Sequence, residues 1–235
     1  MNFLSRLLGN SKNTIKRDVA RELGGVPVKA PAGHRVIVSR LQGWDVLFDI
    51  DTPERPPTVI FAAPPATRVG ILFTTNDDFF LELTRRRIVG QAFFDRRMKH
   101  PQENAAAREA AFKELQPHLR PPEVALGYGE FDYEFSIETN DEEKVRQLLA
   151  DRVLRGVLQD LRSVHVKVAQ GDPWMELLVH PLPERVAVLY FQAPYIMKYT
   201  ENIRAVHRLV VALMERLVAM GSASPAPVGL FAPHG

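Results

Sequence analysis

The chain has no cysteine in its 235 residues, which excludes disulfides, zinc–thiolate centres and cysteine nucleophiles together. That absence agrees with a reducing cytosol without requiring one. Charge of a single sign is missing too: 30 Lys and Arg stand against 28 Asp and Glu, a formal +2. So near neutrality there is no electrostatic footprint for duplex DNA or RNA. No run of about 18 apolar residues occurs, so no membrane span is expected. The opening MNFLSRLLGNSKN makes a poor secretion signal, because Arg6 interrupts its apolar stretch and no small-residue cleavage site follows Gly9. Phe3, Leu4, Leu7 and Leu8 suit the face of a helix start docked on the protein body; so short a stretch buries too little area to hold a membrane alone. P-loop, H-E-x-x-H and G-x-S-x-G patterns are all lacking. A soluble, cytoplasmic protein is the expectation.

What the chain does contain is well-marked periodicity, and it predicts an α+β fold. Lys12 to Leu23 reads as a charged amphipathic helix stopped by Gly24-Gly25, so residues 1–25 form an N-terminal helical segment. From His34 the period changes to two. Val36 and Val38 precede a Gln42-Gly43 turn, after which Trp44, Val46, Phe48 and Ile50 alternate with Asp45, Asp49 and Asp51, predicting a hairpin with one wet face. With Val59–Ala63, Arg68–Thr75 and Phe79–Arg87 this makes an antiparallel meander of about five strands over 26–90. Residues 91–130 read as a helical connector and loop.

The second half, 131–221, reads as a strand, a helix pair, three strands and a long helix. Phe131, Tyr133, Phe135 and Ile137 share one face of the first strand, with Asp132, Glu134, Ser136 and Glu138 on the wet side. Asn140 is placed to cap the next helix, with Glu143 at the capping-box position and a break near Asp151. Val164–Ala169, Trp174–His180 and Arg185–Ala193 are the expected strands; RVAVLYFQA is apolar on both faces and belongs at the centre of a sheet. A helix from about Thr200 to Met220 follows, its stripe broad enough to lie along a sheet. Phe135, Ile137, Leu148, Leu189, Phe191, Val210 and Leu217 are the expected common core. The tail, 222–235, has the composition of a flexible segment.

Three stretches carry a resemblance: TRVGILFTTNDDFFLELTRRR from Thr67, EFDYEFSIETNDEEKVRQLL from Glu130, and VLYFQAPYIMKYTENIRAVHRLVVALMERL from Val188. Together they resemble a family of uncharacterised bacterial proteins with a domain of unknown function, over most of 34–223. The resemblance implies a bacterial, soluble, intact protein. It implies no activity and assigns no residue a role.

Two clusters hold candidate chemistry. Asp45, Asp49 and Asp51 leave one strand on the same face, and Asp49 with Asp51 forms a D-x-D pair of the kind that hard divalent cations favour. The alternation of a half-exposed strand explains the same residues without a metal. Arg85, Arg86 and Arg87, with Phe79 and Phe80 nearby, could contact single-stranded nucleic acid or another anion. Successive strand arginines point to opposite faces, however, and a solvated strand exit explains them as well. His165 and Lys167 share a strand face. His207, beside the stripe of the last helix, reads as a packed, hydrogen-bonded core residue.

Without a chemical constellation, the expected function is non-catalytic: binding another protein, or a second copy, through a sheet edge or the wet face of a sheet. No cofactor is expected. A metal-assisted enzyme centred on Asp49 and Asp51, and a carrier of apolar small molecules, are the alternatives.

Overall fold

A computed structural model describes residues 14–30, 35–51, 66–86, 123–161, 163–178, 183–197 and 200–228. The expectations for residues 1–13, Val59–Ala63, Arg87, most of the connector and the end of the tail lie outside these. Among the described residues the fold is α+β, nine strands in one antiparallel sheet with six helices. In chain order these are α1 over 14–23, β1 Val26–Lys29, β2 Arg35–Leu41, β3 Trp44–Asp51, β4 Ala66–Thr75 and β5 Leu81–Arg85. Then come α2 Glu130–Glu134, β6 Phe135–Thr139, α3 Glu142–Leu148, α4 Arg152–Asp160, β7 His165–Gln170, α5 Pro173–Leu178, β8 Val186–Ala193, α6 Thr200–Ala219 and β9 Ala223–Pro227. The spatial order is β1-β2-β3-β4-β8-β7-β5-β6, and β9 pairs with the end of β4.

The first four strands form a meander in the region expected, 26–90; β2, β3 and β4 are strands the periodicity predicts, and β1 is one it does not. The β2–β3 hairpin turns on Gln42 and Gly43, whose φ values of 52° and 88° give the left-handed pair that a two-residue β-turn requires. β5 does not continue it: β8 and β7 lie between β4 and β5, so strands from both halves of the chain share one sheet. RVAVLYFQA takes the central place its two apolar faces predict, buried between β4 and β7.

Four local readings need correction. Glu130–Glu134 is a helical turn, not the start of a strand, because Phe131 and Phe135 stack at 4.4 Å and both enter the core. A helical turn brings residues four apart together, whereas a strand would hold them on one face but roughly 13 Å apart. Asp132 and Glu134 are accordingly buried, Asp132 accepting from the Gly127 and Tyr128 amides. The cap of α3 is Asp141, which accepts from Lys144 N; Asn140 instead accepts from Phe80 N and donates to Asp78 O, tying β6 to the turn before β5. Trp174–Leu178 lies in helix α5, started by Pro173, and not in a strand. Finally, 223–227 is strand β9 and not a loose tail.

The sheet has two faces. Phe48, Val69, Ile71, Phe73, Leu189 and Phe191 form the first, closed by α6 through Val206, Val210, Leu213 and Leu217. Phe135, Ile137 and Leu148 belong to the same buried cluster, so all seven expected core residues fall together. The second face carries Val36, Val38, Leu47, Leu72 and Val188 under Trp174, Met175 and Leu178 of α5. α5 covers only part of it. The rest carries charge.

Candidate functional site

Strand alternation sends every second side chain to the second face, and the register aligns them across strands. One row runs Leu47, Gly70, Tyr190, Lys167, Glu82, Glu138, crossing β3, β4, β8, β7, β5 and β6 in turn. It begins apolar and ends ionic. Gly70 marks the change of use: a Cβ there would lie 2.7 Å from Trp174 Cζ3 and from Tyr190 Cβ, so bare backbone is what lets the indole lie against β4. Trp174 meets the Tyr190 ring edge-on at 5.3 Å between centroids, and Tyr190 meets His165 likewise at 5.9 Å.

From Tyr190 outward the groups form one connected network. Tyr190 donates from its hydroxyl to Asp172 Oδ2 at 3.4 Å, and Lys167 Nζ lies 3.1 Å from the same oxygen. Lys167 also reaches Glu82 Oε2 at 3.5 Å, while Glu82 Oε1 lies 2.9 Å from His165 Nε2. Asp172 Oδ1 accepts from Trp174 N at 2.9 Å, which fixes the start of α5. Asp172 and Tyr190 are buried, whereas the Glu82, His165 and Lys167 side chains keep between a fifth and a third of their surface exposed (30, 26 and 21%). The network therefore has a dry root and a wet tip.

Its electrostatics hold protons in place. Burial raises the Tyr190 phenol well above its ordinary value, and the Asp172 carboxylate adds to this. For Lys167 burial works against the charge, but Asp172 and then Glu82 outweigh it and hold the ammonium above its usual range. Both are donors fixed in their protonated forms. A group that moves protons in a reaction needs a pKa near the working pH, and these two are displaced away from it.

The residues singled out by sequence are placed as follows. Asp45 pairs with Arg40 Nε at 3.3 Å. Asp49 is wholly buried, with Lys16 Nζ and Arg68 Nη1 each at 3.9 Å, so its stretch of β3 is not the wet face expected. The face is dry there because Leu47 lies beside it in the second-face apolar cluster with Val36, Val38 and α5. Asp51 ends β3, and its side chain lies outside the described residues. Among the described residues no group of three His, Asp or Glu is arranged to hold a metal ion. Arg85 donates to the carbonyls of Gln159, at 2.9 Å, and Leu161, and pairs with Glu134 at 3.4 Å, so it closes the C-terminal end of α4. Arg86 N donates to Glu134 O, and Arg87 lies outside the described residues. His207 is buried against Ser39 Oγ at 2.7 Å, the packed role expected of it.

Sequence reading found His165 and Lys167 but missed their partners. Glu82 and Tyr190 carry no local signal that singles them out, because nothing local says that β5, β7 and β8 are neighbours.

Comparison with protein-family models, with curated proteins and with solved structures finds no match to this chain. Among the described residues no helix is long and apolar enough to cross a membrane.

Proposed function

We propose that this is a non-catalytic binding protein that recognises another protein chain, or a second copy of itself, with the ionic part of the second sheet face. The observation that carries this reading is the connected network on that face, in which Lys167 and Tyr190 share the Asp172 carboxylate and Glu82 joins Lys167 to His165. Such a network offers directional partners, Glu82, His165 and Lys167, at its wet tip. It carries charge of both signs, Lys167 with Glu82 and Asp172, which suits a polar protein surface better than a polyanion. The resemblance described above supports a bacterial setting, and the chain's composition supports the cytosol.

The test is affinity capture from a cell extract followed by native mass spectrometry, with the wild type beside Glu82→Gln/His165→Gln. The reading expects a stoichiometric polypeptide on the wild type and its loss from the variant. A stoichiometric metal ion or small molecule with no polypeptide would contradict it.

A further inference from the structure

Of the histidines among the described residues, His165 keeps contact with water and His207 is buried. His207 Nε2 lies 2.7 Å from Ser39 Oγ, a buried hydroxyl on β2. The other acceptor in reach of that hydroxyl, Val46 O, is at 3.5 Å, the outer limit of a hydrogen bond. With the ring neutral at Nε2, the Ser39 hydroxyl donates to it and the short contact is satisfied. A protonated ring carries N–H at both nitrogens, so the contact must reverse and the hydroxyl is left with the distant carbonyl.

The cover over this pair is the junction of α1 with β1. Gly25 passes so near β2 that a Cβ on it would lie 2.8 Å from Ile37 Cγ2 and 3.3 Å from Ser39 Cβ. Gly24, at φ 61°, is the joint that separates α1 from β1. α1 owes its stability to docking, through buried Val19 and Ala20, the Glu22–Arg204 ion pair and Lys16, which donates to Arg35 O. Charge near His207 offers no counterion. Arg208 follows it in α6 and Arg204 precedes it by one turn. On α1, Glu22 is held by Arg204, Lys16 lies at 3.9 Å from Asp49, and Asp18 pairs with Arg21. β2 and β3 bring only the Ser39 hydroxyl and the Val46 carbonyl to the ring. Every carboxylate among these already has a cation. Burial, and then the Arg208 charge, hold the imidazole below its ordinary value.

We propose that the Ser39–His207 contact is an acid-sensitive latch for α1: protonation of His207 undoes it, and α1 lifts from β2 and α6 so that the imidazolium reaches water. This device is independent of the binding reading above. In the closed form the ring takes a proton less readily than in the open form, where it regains the ordinary value of about 6.5. Acid therefore favours opening. Below that value the open population rises by up to about tenfold per pH unit, one proton per opening, until the closed form also protonates.

Hydrogen exchange on the full chain at about pH 7 and about pH 5, corrected for the pH dependence of intrinsic exchange, tests this. In the wild type, protection of the α1 amides should fall roughly tenfold between the two, while those of β4 and β8 keep theirs. His207→Gln, a neutral side chain that can still bond Ser39, should hold α1 equally at both. Unchanged α1 protection in the wild type, loss from α1 and β8 together, or the same acid loss in His207→Gln overturns the proposal. Should His207→Gln fail to fold, NMR of the wild type decides: the His207 ring must titrate over the pH range in which α1 opens, and opening without that titration overturns it.

Discussion

The two faces of the sheet use the same strands for different ends. The first is apolar wherever it is covered, with Phe48, Ile71, Phe73, Leu189 and Phe191 sealed by α6. The second is apolar only under α5 and turns ionic from Tyr190 outward. A Tyr190 side chain closes one face while its neighbour Phe191 closes the other, one residue apart on one strand. Alternation alone separates the residues that make the fold from those free to make contacts. Helix cover decides which part of the second face joins the core.

The comparison can be broken by truncating each side. Phe191→Ala empties a fully buried site on the first face and should cost about 3–5 kcal/mol in denaturant unfolding. A loss below about 1 kcal/mol would remove that face as the source of stability. On the second face, Asp49→Asn strips the carboxylate from between Lys16 and Arg68. A loss of roughly 1–3 kcal/mol is expected, lessened because both cations keep some contact with water. No change would restore the wet-strand reading of β3.

A smaller effect sits at the rim. Asp77, in the turn between β4 and β5, accepts from Phe79 N at 3.0 Å, Lys144 Nζ at 2.9 Å and Ser222 Oγ at 2.8 Å, joining that turn to α3 and the end of α6. Burial raises its carboxyl, but the Lys144 contact and the two other donors prevail, leaving it below its ordinary value. The folded form therefore binds this proton less readily than the unfolded chain. Its contribution is complete above the unfolded value, near pH 4, and fades as pH falls through the folded one. Asp77→Asn should cost about 1–2 kcal/mol at neutral pH, and less as the solution is acidified. A cost that is the same at pH 7 and pH 3 would contradict the assignment.

How far sequence could anticipate this follows from what each feature depends on. The β2–β3 hairpin, the central place of β8, the stripe of α6 and the break at Asp151, which caps α4, are set by neighbours in sequence. All were legible. The helical turn of α2 was not, since Phe131, Tyr133 and Phe135 alternate as well as they repeat; stacking against the core decides it. Helix α5 was hidden for a related reason. Its short apolar run suits either structure, and the Asp172 contacts that fix its start join it to distant strands. The candidate site fared worst, because Glu82, Lys167 and Tyr190 meet only after β8 and β7 insert between β4 and β5. Asp45, Asp49 and Asp51 stood out by spacing, yet Asp49 is engaged with α1 and β4.

The division of labour between the faces is tested most directly by Glu82→Gln/His165→Gln. These side chains belong to the wet tip of the network, and changing them leaves the contacts of Lys167 and Tyr190 with the buried Asp172 in place. Thermal unfolding and polypeptide capture should be measured on the same preparation. The account predicts a stability change within about 1 kcal/mol, as for exposed ion pairs, together with loss of the captured chain. Loss of stability by several kcal/mol, or capture undiminished in a folded variant, would contradict it.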